Sequence, residues 1–537
     1  MTMHYELLAN RILERAATHF PNKEIATRVG EETHRYTYAD MFERTSRLGN
    51  ALRELGVGHG DRVGTFAWNT YRHLEAYFAP ATIGAVTHTI NIRLAPDDMA
   101  YIINHAGDKV LLIDPDLAPL IEAIADRLTS VQHFVILGDA SESATSLPHA
   151  ACYETLLDAA SPEYHPADVD EYSTMGLCYT SATTGLPKGV AYSHRAVYLH
   201  SMTAATADVL AVSERDRIMA IVPMFHANCW GFPYASTMVG SSQVFPGVRP
   251  DPRVICEMIE RERVTISAGV PTIWIGVLDY LQRSGVEYDL SSLRQVVSGG
   301  SAVPLAVLQA YRDQLGVDIV HAYGMTEAAP LISVNRRRSW LDDLPDAKRL
   351  ELNASQGVIA PGIDMKLADE NGDDLAWDGE QRGELWFRGP WVADQYVDDE
   401  RSAETFIDGW YHSGDIATID ANGYIQIVDR VKDMVKSGGE WISSVDLESA
   451  IMAHPDVLEA AVIAVPDPQW QERPLACVVT RAEASGPLTK DTILDFIRPD
   501  FARWWLPDDV VFIDEIPKTS VGKFDKKVLR ERFEHHR

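Results

Sequence analysis

The sequence predicts a layered α/β protein in which helices cover sheets, followed by a small antiparallel or barrel-like unit and a compact α+β domain at the C-terminal end. Three observations carry that expectation. Strand-like apolar runs recur beside helix-like segments: RVGTFA at Arg62, VLLID at Val110, HFVILG at His133, DRIMAIVP at Asp216 and RQVVSGG at Arg294. Between about Gly357 and Val428 the texture changes to short strands parted by turns. After Arg430 helices and strands mix again over a length suited to one compact unit.

Taken in order, the apolar residues Met41, Leu48, Leu52 and Leu55 share one helical face, with Asp40 placed to cap the start and Gly56 to end it. Met175, Leu177 and Cys178 read as a strand, as do Val190 and Tyr192, and Ser193 is placed to cap a helix near Arg195. Beyond Arg430 the expected elements are a helix over 445–453, strands at 459–465, at Leu475 and at Val510, a helix near Thr489 and a closing helix. The expected division is 1–430, with 357–428 as its barrel-like part, and 431–537 as the C-terminal domain; the charged boundary at Arg430 and Lys432 suggests a hinge.

With 78 acidic against 48 basic residues the formal net charge is −30, which argues against a nucleic-acid surface. An anionic ligand must therefore be met by a local positive site. The five cysteines show no C-x-x-C spacing, so neither a zinc site nor a disulfide framework is expected, and a reducing cytoplasm fits. The N-terminal stretch has early acids and amphipathic spacing, unlike a leader, and no run reaches membrane-spanning length. Peripheral membrane contact and homodimerisation both stay compatible with this composition.

The densest chemistry lies in YTSATTGLPKGV, residues 179–190. Four hydroxyls, glycine-permitted backbone N–H groups and the Lys188 ammonium, with no acid among them, are what a polyphosphate needs. It is not a Walker A loop, because Lys188 follows Pro187 where that motif has G-K-[ST] at a helix mouth. PMFHANCW puts His226 and Trp230 after a strand-like run, fit for the mouth of a pocket. GVPTIW and SGGSAVP end strands in glycine or proline, where α/β folds build ligand loops. In HAYGMTEAAP, Tyr323 offers a stacking face for a base, and Thr326 and Glu327 offer oxygens to a hard cation. YHSGD places Asp415 in a turn where two oxygens can accept both hydroxyls of a ribose, and PKTSVGKFDKK presents Lys523 on a loop.

YTSATTGLPKGV, YGMTE, GWYHSGD, DRVKDMVKSGGEWISSVDLE and PKTSVGK stand in the order found in acyl-CoA synthetases of the adenylate-forming superfamily, and the resemblance spans almost the whole chain. SGGEWISSVDLE and the pairing of His226 with Trp230 look particularly like fatty-acyl-CoA synthetases. One departure is Ala182, where the family usually has glycine; positive φ there would cost about 1 kcal/mol, and an ordinary backbone angle is expected.

The resemblance implies two half-reactions: a carboxylate attacks MgATP to give acyl-AMP, and coenzyme A then displaces AMP as the C-terminal α+β domain, a small mobile lid, rotates. Carried over by motif, Thr180, Ser181, Thr183, Thr184, Gly185 and Lys188 hold phosphates, with Thr180 and Glu327 serving Mg²⁺. Gly300, Ser301, Ala322 and Tyr323 frame adenine, Thr326 sits near the α-phosphate, and Asp415 and Arg430 hold the ribose. His226 stands at the carboxylate end and Trp230 gates the acyl tunnel. Lys432 is the hinge; Lys436, Gly438, Gly439 and Trp441 serve the coenzyme A step, and Lys523 the adenylation. Alternatives are a ligase for a short, aryl or methylthio-propanoate acid, an acyl-AMP ligase loading a carrier protein, and a nucleotide-binding protein without catalysis.

Overall fold

The computed structural model describes residues 3–180, 186–430, 432–438, 440–481, 488–519, 523–534 and 536. Two large sheets form most of the chain. The nine-stranded sheet carries four adjacent parallel strands, Arg217–Ala220, Ile266–Gly269, Gln295–Gly299 and Ile319–Gly324, and ends on the antiparallel strands Leu331–Val334 and Val358–Ile359. The seven-stranded sheet is parallel through Arg62–Phe66, Val86–Thr89 and Thr174–Tyr179, and Gly189–Ser193 adds an antiparallel edge. Parallel strands need covering on both faces. The sequence meets that need: Val63 and Thr65 are as buried as Gly64 and Phe66, and so on through the central strands.

The capping of the first long helix differs from the sequence expectation. The helix is Tyr38–Glu54, and Thr37 is its cap; Asp40 occupies the third position and returns a bond from its carboxylate to the Thr37 N–H at 2.8 Å. A threonine and an acid three residues apart satisfy two orphan donors reciprocally, worth roughly 1 kcal/mol, which an aspartate alone cannot do. Ser193 does cap its helix, His194–Ala204, accepting from Ala196 N–H at 3.1 Å.

The strand-and-turn stretch forms a five-stranded antiparallel sheet built from Asp364–Ala368, Gly383–Arg388, Phe406–Ile407, Trp410–Ile419 and Ile425–Arg430. Another five-stranded sheet follows, centred on the paired Val457–Asp467 and Gln471–Thr480, with the helices Ser444–Met452 and Lys490–Ile497 against it. Its core of Leu447, Ile451, Val462, Ala476, Ile493 and Val510 is separate from those of the two large sheets.

Candidate active site

A cleft of about 800 Å³ opens where the four parallel strands of the nine-stranded sheet end. Ligands bind outside the carboxyl ends of such strands because the connecting loops diverge there. Strand Gln295–Gly299 runs into Gly300 and Ser301, and Ile319–Gly324 runs into Thr326 and Glu327. The seven-stranded sheet contributes Thr180 and Lys188, at the ends of two of its strands.

Thr180 and Lys188 close the neck of the phosphate-type loop. Thr180 N–H donates to Lys188 O at 2.9 Å and Lys188 N–H donates to Thr180 Oγ1 at 3.2 Å. Ser181, Thr183, Thr184 and Gly185 lie outside the described residues, as does Ala182. Lys188 reaches inward, donating to the Tyr396 hydroxyl at 2.9 Å, and burial pulls its pKa below the ordinary lysine value. Tyr396 in turn donates to Glu327 Oε1 at 2.7 Å.

Ser301, Ala322 and Tyr323 surround one end of the cleft with Gly300, whose φ of +88° is the left-handed geometry glycine takes without strain. Asp415 corrects the sequence reading: it sits within the strand Trp410–Ile419, paired with Arg430, and not in a turn. Only Gly414 before it is left-handed, at φ +70°, so YHSGD holds local turn character inside a continuing ladder. Asp415 Oδ2 accepts from the Tyr323 hydroxyl at 2.5 Å and Oδ1 from Arg430 Nε at 3.2 Å. A carboxylate has about four acceptor sites, so room remains for two hydroxyls.

Directly after His226 the chain makes an unusual turn. Ala227, Asn228, Cys229, Trp230 and Gly231 are all left-handed, with φ of 42°, 50°, 52°, 55° and 76°. For L-residues that costs about 1 kcal/mol or more each, so neighbours must impose it. Cys229 Sγ donates to Val222 O at 3.0 Å, and Asn228 Oδ1 accepts from Cys178 Sγ at 3.3 Å. A Cβ on Gly231 would lie 2.4 Å from the His200 ring, so only glycine fits. The turn directs the Trp230 indole towards Gly299, where a Cβ would stand 3.4 Å from its ring. His226 lines the cleft, and burial together with the Lys523 ammonium pushes its imidazole down to about 3, so it is neutral at pH 7.

Lys523 enters the cleft from the C-terminal sheet's side. Its Cε would be 3.1 Å from a Cβ on Gly300, and its Nζ 3.8 Å. Burial first, then Arg430, lower its pKa to about 8, against the pull of Asp415 and Glu327. Lys436 is elsewhere: it is exposed, its ammonium 5.2 Å from the Trp441 ring centroid, and it does not line the cleft. Gly438, at φ +61°, lies under Trp470, whose ring would meet a Cβ at 2.7 Å; Gly439 lies outside the described residues. The structure thus brings Lys523 to the nucleotide-type residues and keeps Lys436, Gly438 and Trp441 apart from them.

Contacts across the boundary at Lys432, itself exposed at the cleft's edge, hold that arrangement. Asp429 Oδ2 accepts from Ser444 N–H at 2.8 Å and from its hydroxyl at 2.6 Å, and the Ser443 hydroxyl donates to Val428 O at 2.7 Å. Lys526 bonds Ser444 Oγ at 2.6 Å and pairs with Glu448. Tyr396 lies in no motif, and Asp429 and Lys526 fall within DRVKDMVKSGGEWISSVDLE and PKTSVGKFDKK without a role being assigned to them there, so the sequence reading missed all three. Of the chain's twelve lysines, five (Lys188, Lys432, Lys523, Lys526 and Lys527) line this cleft, interleaved with Arg430, Arg530 and eight carboxylates, so positive charge is placed at points and is not an excess over the whole site.

The donor set suits a hard cation carried in by phosphates. Among the described residues no group of three His, Cys, Asp or Glu can hold a metal, yet Glu327 offers Oε2 with no hydrogen bond to a described residue, in the cleft that Thr180 also lines. Mg²⁺ keeps water and phosphate ligands and asks the protein for one or two oxygens.

Residues 13–397 match the model of the AMP-binding enzyme family and residues 446–523 that of the AMP-binding enzyme C-terminal domain. A long-chain-fatty-acid–CoA ligase of Thermus thermophilus is 47% identical over 99% of this chain and 97% of its own. A 3-methylmercaptopropionyl-CoA ligase of Ruegeria lacuscaerulensis is 42% identical over 99% and 98%. Among solved structures, an anthranilate CoA ligase in complex with anthranoyl-AMP superposes with a TM-score of 0.87 at 28% identity, covering 99% of this chain and 98% of that one. ATP-bound MatB from Rhodopseudomonas palustris gives 0.83 at 26%, covering 98% and 99%. With the layered sheets, the cleft at their strand ends and the matched models in agreement, this chain belongs to the AMP-binding enzyme family.

Proposed function

We propose that the chain is an ATP-dependent acid–CoA ligase for a medium- or long-chain fatty carboxylate, with residues 1–430 as its nucleotide-binding part and 431–537 as a lid hinged at Lys432. The observation that carries the reading is Lys523, a half-buried lysine whose side chain lies beside Gly300 in a cleft that also holds His226, Asp415 and Glu327. In the first step a carboxylate oxygen bonds to the α-phosphorus of ATP and the bond to pyrophosphate breaks. Lys523 offsets negative charge gathering on the attacking oxygen and α-phosphate, beside Thr326. Lys188 holds the outer phosphates with Thr180, Ser181, Thr183, Thr184 and Gly185. Asp415 and Arg430 hold the ribose, and Gly300, Ser301, Ala322 and Tyr323 flank adenine. Mg²⁺, when bound to Glu327 and Thr180, supplies charge neutralisation at the phosphates.

In the second step the thiol sulfur of coenzyme A bonds to the acyl carbon, AMP leaves with the electron pair of the broken bond, and the thiol proton passes to solvent. Lys436, Gly438, Gly439 and Trp441 serve this step after rotation. The five cysteines are all free, which supports a reducing, cytoplasmic setting, and no helix among the described residues is long and apolar enough to cross a membrane. Acid-dependent AMP release, assayed with coenzyme A over acids of graded length, tests the reading; no AMP release with any acid would overturn it.

A short or methylthio-substituted acid is the second reading, favoured by the Trp230 indole that narrows the cleft at Gly299. Trp230→Ala is expected to shift the preferred acid to longer chains and leave the requirement for ATP intact, as the ranking of kcat/KM across the same acids will show.

Lys523 also makes lid closure pH-dependent. Its pKa of about 8 in the closed, nucleotide-free cleft lies below the ordinary value of about 10.4, so the protonated form resists closure. Closure without nucleotide is penalised in full below pH 8 and the penalty fades as pH rises above it. Donor and acceptor dyes on the two parts should report more closed lid at pH 9.5 than at pH 7, and bound MgATP should abolish the trend. Closure that declines with rising pH would refute the assignment.

A further inference from the structure

Lys188 and Glu327 sit close enough to the same phenol that they would be expected to pair with each other, yet among the described residues they form no ion pair. Tyr396 stands between them. It has one proton to give; because Lys188 can only donate, the hydroxyl must accept from Lys188 Nζ at 2.9 Å and donate to Glu327 Oε1 at 2.7 Å. The ammonium also lies 4.0 Å from the centroid of the Tyr396 ring, so the same side chain holds the cation by its face and by its oxygen.

The ring has little freedom to leave this place. Tyr396 is 2% exposed, it packs edge-on against Phe406 at 5.0 Å, and its backbone N–H is fixed by Ser402 Oγ at 2.9 Å. Glu327 is held from its own backbone as well, where its carbonyl accepts from Ala393 N–H at 2.7 Å. The phenol occupies Oε1 and turns Oε2 to the cleft.

We infer that Tyr396 is a positioning residue that keeps Lys188 and Glu327 apart, so that the ammonium stays available to phosphate and the carboxylate to the divalent cation. The inference rests on the reading of this cleft as a MgATP site. Without the hydroxyl, Lys188 and Glu327 collapse onto each other. That pair neutralises both groups in a partly buried setting and competes with the metal–nucleotide complex for each. A partner that orients a metal-binding carboxylate typically accounts for about 10- to 100-fold in metal affinity when removed.

The test measures binding of Mn²⁺ with α,β-methylene ATP by electron paramagnetic resonance, alongside the Mg²⁺ dependence of adenylation, in the full-length protein. Tyr396→Phe is expected to weaken Mn²⁺–nucleotide binding by about 10-fold or more and to raise the Mg²⁺ half-saturation point similarly. At saturating Mg²⁺ its kcat should approach that of the unaltered enzyme, and thioester formation from supplied acyl-AMP should be unchanged. Unchanged Mn²⁺ binding in Tyr396→Phe while Glu327→Gln loses it would overturn the inference and spare the MgATP reading. Undiminished binding in Glu327→Gln would overturn that reading as well. A lower melting temperature with equal loss in both half-reactions would make Tyr396 merely structural, and would equally overturn the inference.

Discussion

Lys523→Ala is expected to lose acyl-AMP formation by about 10²- to 10³-fold, the usual consequence of removing one group aimed at charge that develops in a transition state. The same variant should convert supplied acyl-AMP and coenzyme A to thioester at nearly the normal rate. The asymmetry follows from position: the Lys523 side chain lies over Gly300 in the cleft, whereas Lys436 lies outside it beside Trp441. Lys436→Ala should therefore do the reverse, forming acyl-AMP and transferring it slowly. Each half-reaction is to be followed separately at saturating substrate, so that weakened binding is not read as slowed chemistry. If both variants fail equally in both half-reactions, a lid alternating between two faces is the wrong description.

Glu327→Gln is expected to lower acid-dependent pyrophosphate release by orders of magnitude, about 10²-fold at least, since a hard cation loses a charged oxygen ligand while the side chain keeps its size. The amide can still meet the Tyr396 hydroxyl, so the local packing should survive and the melting temperature should stay close to that of the unaltered protein. Full pyrophosphate release in this variant would remove Glu327 from the metal site.

The nucleotide-type half of the cleft was legible because its chemistry sits on motifs that end strands. Thr326, Glu327, Gly300 and Lys188 are all where a strand's carboxyl end or the edge of a loop puts them. Asp415 was read as a turn residue because S-G-D has turn composition, and a long strand can carry one left-handed glycine without breaking its ladder. Tyr396 was not legible at all. An aromatic in GPWVADQYVDDE has no periodicity or spacing to mark it, and its role exists only once the connection after Gly383–Arg388 carries it across to Lys188, 208 residues earlier in the chain. Asp429 opens a motif, yet its role escaped because its partner Ser444 lies across the boundary between two separately cored parts.

The five successive left-handed residues at 227–231 limit how this enzyme can acquire new acids. Any β-branched replacement at Ala227, Cys229 or Trp230 would meet the same backbone with worse sterics, while glycine would relieve strain and let the indole's place wander. The wall of the cleft that follows His226 is thereby closed to gradual drift. Diversity among acids has an easier route through lining residues with ordinary backbone angles, such as Val222, Phe232, Val270 and Val297, where one methylene more or less changes the space in the cleft without asking a strained backbone to accept it. A mutational library spread evenly over the cleft should therefore return active variants with altered acid preference mostly from those four positions and from truncation of the Trp230 side chain, and mostly inactive ones from Ala227, Asn228, Cys229 and Gly231.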